Sequence, residues 1–345
     1  MNTVRKQDLE NIAENIPLEY CEDKVFLITG ASGFLGSYFV DTLMYLNDKC
    51  LKSKCTIIAL CRNKAKAIEK FQEYLGSPFF KLLVQSVEEK VDIEGKVDYI
   101  IHAASSAVTS EFECIPGKIL SANIIGTYNF LELARIKKVK GFLFLSSGAV
   151  YGEISDEIIE VKENDCFILN YVETRNCYAE GKRAGEAFCI AYWKQYKIPS
   201  KIVRISHTYG PGINLNDGRV FSDFVNSICK GENLVIRGSG NDVRPFCYIS
   251  DAMKAFFLIL FHGKCGEAYN MANRKETWTI KELAYKLTEQ AFKSRGLNVK
   301  CKTPGSVIYI NKPMVNTDKL ENLGWFPQVD VIEGFQRTVR SFEEK

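Results

Sequence analysis

The chain has 345 residues, 46% of them hydrophobic and 25% charged, with a formal net charge of +3 at pH 7. That length allows one large or two modest domains with a real core, and the composition excludes a disordered chain. The near-balance of charge gives no global reason to expect a nucleic-acid or membrane-surface partner, and the longest apolar run, Ala255 to Phe261, is far short of a bilayer span.

Residues 1–23 read as an added helix, with Leu9, Ile12, Ala13 and Ile16 on one face ahead of Pro17, placed to cover a surface or to contact a partner subunit. Asp8, Glu10 and Glu14 and the lack of an apolar core exclude a signal-peptide reading of this stretch. An apolar run, Val25 to Ile28, then enters Thr29-Gly30-Ala31-Ser32-Gly33-Phe34-Leu35-Gly36, and a periodic stretch from Phe34 to Leu46 leaves it. The pattern is buried strand, glycine turn, helix. Such a turn lets backbone N–H groups approach a pyrophosphate while the helix N-terminus points at it, which suits a dinucleotide. The spacing is G-x-x-G-x-x-G, and a plain strand–helix turn shares it.

A second strand, Thr56 to Leu60, follows a solvated loop carrying Lys49, Lys52 and Lys54 and ends at Cys61 and Arg62. Asp or Glu there would select NAD by bonding the ribose hydroxyls. Arg62 suits a 2′-phosphate, and suits stacking on adenine equally, so these residues leave NAD and NADP both open. An amphipathic segment, Phe71 to Lys90, ends in a short strand near Leu82 to Val84. The next buried strand, Val97 to Ile101, runs into His102-Ala103-Ala104-Ser105-Ser106, whose small side chains leave room for a ligand across a sheet edge. A helix over Ser121 to Lys137 precedes a strand over Phe142 to Leu145 that ends in Ser146-Ser147-Gly148. Alternation of this kind predicts an α/β fold with a parallel, doubly wound sheet and its crevice at the strands' carboxyl ends.

Tyr178-Ala179-Glu180-Gly181-Lys182 puts a phenol and an ammonium one helical turn apart. A nearby cation favours phenolate and lowers a tyrosine pKa from about 10. Such a tyrosine takes a proton from a sugar or alcohol hydroxyl while hydride leaves the carbon, and Ser147 at a strand end orients the same hydroxyl. The twelve cysteines are scattered without a C-x-x-C pair, with Cys189, Cys229 and Cys247 in apolar stretches, and read as reduced core thiols of a cytoplasmic protein. His102, His207 and His262 lack ligand spacing, so no metal site is expected.

Taken together, Thr29 to Gly36, Asp98 to Ala104, Ser146-Ser147 with Val150-Tyr151-Gly152, Tyr178 with Lys182, and Arg204 to Gly212 make the chain resemble the extended short-chain dehydrogenase/reductase family of nucleotide-sugar enzymes from about residue 24 to about 335. Within it, Cys177 to Arg183, Asn216 to Phe224 and Arg244 to Asp251 are most similar to UDP-glucuronate decarboxylases. The resemblance implies a Rossmann-type domain over 24–204 and a smaller C-terminal substrate domain over 205–345, some segments of which return to the first. It implies bound NAD, held by Gly30, Ser32, Gly33, Phe34, Leu35, Gly36, Arg62, Ala103, Ala104, Ser105, Tyr178 and Lys182. It also implies a nucleotide-diphosphate sugar met by Ser147, His207, Arg219, Val220, Phe221 and Arg244, with the segment around Phe221 against the base and Arg244 on the diphosphate. Ser147, Tyr178 and Lys182 are the implied catalytic residues, and the helices over 121–137 and 178–196 the implied homodimer contact.

Three departures from the resemblance involve four positions. Gly148 and Ala149 stand where dehydratases and decarboxylases carry acidic residues, Ser86 where an aspartate contacts adenine, and His207 where the decarboxylases have asparagine. Elimination across C5–C6 needs an acid and a base beyond the tyrosine. The pattern therefore favours a 4-epimerase or 4-dehydrogenase/reductase over a decarboxylase or a 4,6-dehydratase-like lyase. A nucleotide-sensing binding protein on the same fold is the competing class, and the intact Ser147, Tyr178 and Lys182 argue against it. Finally, Thr279 with Glu282 predicts a capped helix from Ile280.

Overall fold

A computed structural model describes residues 2–109, 111–155, 157–302 and 314–344. In chain order the first elements are α1 (Thr3–Ala13), β1 (Val25–Thr29), α2 (Phe34–Lys49), β2 (Thr56–Cys61), α3 (Lys64–Lys70), β3 (Phe80–Val84), β4 (Tyr99–His102), α4 (Glu111–Cys114), α5 (Pro116–Lys137), β5 (Gly141–Ser147), β6 (Glu160–Val161), α6 (Cys177–Tyr196), β7 (Ser200–Ile205) and β8 (His207–Tyr209). They are followed by α7 (Val220–Lys230), β9 (Leu234–Ile236), β10 (Val243–Tyr248), α8 (Ile249–His262), β11 (Ala268–Met271), β12 (Thr277–Thr279), α9 (Ile280–Lys286), β13 (Val299–Cys301), β14 (Met314–Val315), α10 (Asp318–Glu321) and α11 (Val331–Glu343).

Strands buried on both faces feed two cores through their alternating side chains. Phe26 and Ile28 of β1, Tyr99 and Ile101 of β4, and Leu143 and Leu145 of β5 pack with Phe39 and Leu43 of α2 and Phe256 and Phe257 of α8. Leu27, Ile100, Phe142 and Phe144 point the other way, onto Phe130 and Leu131 of α5 and Cys189 and Tyr192 of α6. The result is a parallel seven-stranded sheet of order β3-β2-β1-β4-β5-β7-β11 between two helical layers. Strand order reverses between β1 and β4, which opens a crevice beyond their carboxyl ends. Three small sheets, β12-β10-β8, β13-β9 and β14-β6, are added from the later part of the chain.

The first helix does cover a surface. It packs on α2, α8 and α11, with Leu9 and Ile12 fully buried. Its Arg5 donates from Nε to Asp41 of α2 at 2.6 Å, from the guanidinium to the Ser37 hydroxyl at 3.0 Å and to the Pro211 carbonyl at 3.3 Å, and lies over the Tyr38 ring. One turn on, Asp8 accepts from Arg337 of α11 at 2.6 Å and from the Tyr248 hydroxyl at 3.0 Å.

Two expectations need correction. Helix α5 starts at Pro116, five residues before Ser121, because proline at a first helical position forfeits only an N–H that would have no partner anyway. The cysteines are all free, yet only Cys21, Cys55, Cys61, Cys177, Cys189 and Cys247 are core thiols. Cys50, Cys229 and Cys265 are half-buried, and Cys114, Cys166 and Cys301 are exposed.

The capped helix is present as expected. Thr279 accepts from the Glu282 N–H at 3.0 Å, and Glu282 accepts from the Thr279 N–H at 2.9 Å. Thr279→Ala lowers stability by about 1 kcal/mol. A urea-unfolding midpoint equal to that of the parent would show that the cap contributes nothing.

Candidate active site

The crevice floor is built first by Thr29, the last residue of β1. Its hydroxyl oxygen accepts from the Ala103 and Ala104 N–H groups, both at 3.1 Å, and lies 3.0 Å from His102 Nδ1. With both N–H groups donating to it, the hydroxyl proton goes to Nδ1, and the network assigns the imidazole proton to Nε2. The ring is stacked among Phe130, Phe142 and Phe144, and burial, with help from the Lys182 charge, pushes its pKa down to about 3. His102 is therefore a neutral strut that locks the ends of β1 and β4 together.

On that floor sits the glycine turn. Gly30 has φ +62°, and a Cβ there would lie 2.8 Å from Ala104 Cα and 2.9 Å from the Ala103 carbonyl oxygen. A Cβ on Gly36 would meet the Gly30 carbonyl oxygen at 2.3 Å. Helix α2 thus starts hard against the turn. Its N-cap, Gly33, offers no side chain to the first-turn N–H groups, which leaves them for a ligand. Ser32, Phe34 and Leu35 line the turn without being fully buried, with Ala103, Ala104 and Ser105 across from it. Arg62, just past β2, is exposed, and the Cys61 thiol beside it is hydrogen-bonded to Ser32. Ser86 bonds Glu88 at 3.1 Å. A cradle closed to any Cβ and lined by uncapped N–H groups fits a dinucleotide pyrophosphate.

The predicted Ser147, Tyr178 and Lys182 lie at β5 and α6. Ser147 closes β5, and its oxygen accepts the Ala149 N–H at 3.2 Å, which leaves its proton for the hydrogen bond it shares with Tyr178. The Tyr178 ring stacks on Phe112 of α4 at 5.1 Å and 11°. Lys182, 3% exposed, lies below with its Nζ 5.7 Å from the Tyr178 ring centroid and donates to the Leu145 carbonyl at 2.7 Å.

Here burial outweighs the neighbouring cation, so the phenol does not sit below its ordinary value as expected. Burial holds the Tyr178 phenol above its ordinary value, while the Ser147 hydrogen bond and the Arg219 charge pull the other way. The spacing brings Lys182 close, but its ammonium faces the strand carbonyl, and burial pushes its own pKa down to about 7. Gly148 and Ala149 follow directly on Ser147. Gly148 is half-buried, and a Cβ there would meet only the Ile205 carbonyl oxygen, at 3.8 Å; Ala149 is exposed. Neither supplies an acid or a base.

The remaining predicted contacts lie on the later elements. His207 on β8 is half-buried, edge-on to Phe221 and tilted to Phe246. Arg219 pairs with Asp217 and lies over the Phe221 ring at 4.6 Å. Phe221 is 0% exposed, so its ring packs in the core and Arg219 and Val220 are the ones left at the surface, a correction to the expected stacking on a base. Arg244 pairs with Asp242 at 3.3 Å. Phe112, the Thr29–His102 pair and the residues beneath Lys182 carry no motif that singles them out. Glu186, four residues after Lys182 on one helix face, was the available signal.

This doubly wound architecture has counterparts among known proteins. The model of the NAD dependent epimerase/dehydratase family matches residues 26–272. UDP-glucuronic acid decarboxylase 3 of Arabidopsis thaliana is 33% identical over 318 residues, 92% of this chain and 88% of that one. The UDP-glucose 4-epimerase of Thermotoga maritima, solved with UDP-glucose, superposes with TM-score 0.77 at 24% identity over 92% of this chain and 98% of that one. The UDP-glucuronic acid 4-epimerase of Bacillus cereus, solved with NAD, does so with TM-score 0.74 at 21% identity over 92% and 96%. The chain belongs to the NAD dependent epimerase/dehydratase family and is an enzyme of that family.

Proposed function

We propose that the chain oxidises C4 of a nucleotide-diphosphate sugar to a 4-keto intermediate and reduces it again, as a 4-epimerase or a 4-dehydrogenase/reductase. The observation that carries this reading is the Ser147–Tyr178 hydrogen bond at the end of β5, beside two residues, Gly148 and Ala149, with no side-chain proton to give or take. The glycine cradle would hold NAD, which would supply the acceptor and then the donor for the C4 hydride. Ser147 orients the C4 hydroxyl. Tyr178 takes its proton as the C–H bond breaks and returns it when the ketone is reduced. Lys182 favours the phenolate and holds the nicotinamide ribose.

The cofactor-holding residues are Gly30, Ser32, Gly33, Phe34, Leu35, Gly36, Arg62, Ala103 to Ser105, Tyr178 and Lys182. The substrate meets His207, Arg219, Val220 and Arg244, with Arg219 and Val220 towards the base and the Arg244 guanidinium exchanging Asp242 for diphosphate oxygens. The substrate part is the region after residue 204. Two copies associate through α5 and α6, which pack together and leave Ile125, Tyr128, Ile190 and Tyr196 exposed. Among the described residues no helix is long and apolar enough to cross a membrane, and the free thiols support a cytoplasmic setting.

Decarboxylation is the second reading, supported by the 33% identity to a UDP-glucuronic acid decarboxylase. A 4-keto uronic acid is a β-keto acid and loses carbon dioxide with little assistance. Mass spectrometry of UDP-glucuronate and a panel of other nucleotide sugars, each incubated with enzyme and NAD, separates the two. Unchanged mass with inversion at C4, or the loss of two hydrogens where C4 is oxidised and the hydride stays on NAD, is expected. Loss of carbon dioxide from UDP-glucuronate would replace the first reading with the second.

A further inference from the structure

We propose that Glu186 is a positioning residue of the redox centre, which keeps Lys182 positively charged and is itself held in place by Arg204 and Ser146. The proposal rests on the reading of Tyr178 and Lys182 given above. Glu186 lies one turn beyond Lys182 on α6 and is 6% exposed. Its carboxylate accepts from the Ser146 hydroxyl at 2.5 Å and from Arg204 through two guanidinium nitrogens, at 3.0 Å and 2.7 Å. Ser146 and Arg204 are register partners on β5 and β7, so both donors come from the strand ends next to Ser147. Arg204 is fixed in turn by the Glu163 carbonyl at 2.8 Å and by the Tyr151 ring, whose hydroxyl donates to Asn270 at 2.6 Å.

A buried ammonium without a counter-charge gives up its proton. The groups facing Lys182 are Tyr178, Glu186 and Cys189 on α6, neutral His102 on β4, the Leu145 carbonyl on β5 and, beyond Glu186, Arg204 on β7; α5 presents the uncharged Asn123 beside Gly181. Among these Glu186 is the carboxylate that acts on Lys182, and its charge opposes the burial that drives the lysine down to about 7. A lysine poised that low changes charge with the loss of a single neighbour, and with it goes the stabilisation of the Tyr178 phenolate.

The test is a pH titration of the Lys182 13Cε resonance in protein labelled at lysine Cε, with Lys182→Arg to assign the signal, with and without NAD. Glu186→Gln lowers the titration midpoint by about one pH unit or more. Because that variant strands Arg204, the Glu186→Gln/Arg204→Gln pair is measured beside it, and its midpoint falls too. A midpoint at the wild-type value in either variant overturns the proposal. In kinetics, the alkaline limb of kcat moves down in step with the midpoint while KM for the sugar is unchanged. A limb that stays in place while the resonance moves also overturns it. Absence of turnover in the wild-type enzyme would instead count against the C4 reading, since the resonance titration needs no substrate.

Discussion

Tyr178→Phe reduces kcat by about 10²–10⁴-fold and leaves NAD binding nearly intact. The substitution removes one oxygen and keeps the ring, so the stack on Phe112 survives, and Lys182 keeps its bond to the Leu145 carbonyl. What is lost is the proton acceptor that shares a hydrogen bond with Ser147, and Gly148 and Ala149 cannot stand in for it. Steady-state turnover of the substrate found by mass spectrometry, beside calorimetric titration of NAD, measures both halves. Wild-type turnover in this variant would remove Tyr178 from the mechanism. Loss of NAD binding would mean that the phenol supports the cradle rather than the chemistry.

The largest stability effect belongs to the first helix. Arg5 and Asp41 are both nearly buried, with side chains 8% and 7% exposed. Arg5→Ala leaves the Asp41 carboxylate with the Tyr74 hydroxyl at 3.0 Å as its remaining donor, and empties the face of the Tyr38 ring. Breaking such a pair from one side costs about 3–5 kcal/mol. Removing both charges, as in Arg5→Met/Asp41→Asn, costs much less, because no ion is stranded. Urea-unfolding midpoints of the two variants decide the matter: equal losses would show that packing rather than charge holds the helix.

Much of this molecule is readable in its residues. The apolar runs of β1, β2, β4 and β5 and the glycine turn mark the sheet and its crevice because local pattern alone determines them. Helix α5 is longer than its pattern suggests because Pro116 and Gly117 look like breakers, although a proline is at home in a first turn. Phe221 reads as a ligand contact because spacing cannot tell which side of an amphipathic helix meets the core. The ionisation of Tyr178 escapes the sequence for a different reason. Residue spacing places Lys182 one turn away, but the direction of its ammonium depends on the Leu145 carbonyl of a strand 37 residues earlier. Similarly, Glu186 meets Arg204 and Ser146 together only because β5 and β7 pair in one register. Distances between side chains remote in sequence are products of the sheet, and nothing local announces them.

The cluster around Asp8 has one more consequence. Asn2 donates to the Ser341 carbonyl at 2.9 Å, Thr3 to Glu344 at 3.1 Å, and Arg337 closes the seam on Asp8. The helices α1 and α11 are thereby sewn to each other. Fraying cannot start at one of these helices without loosening the other.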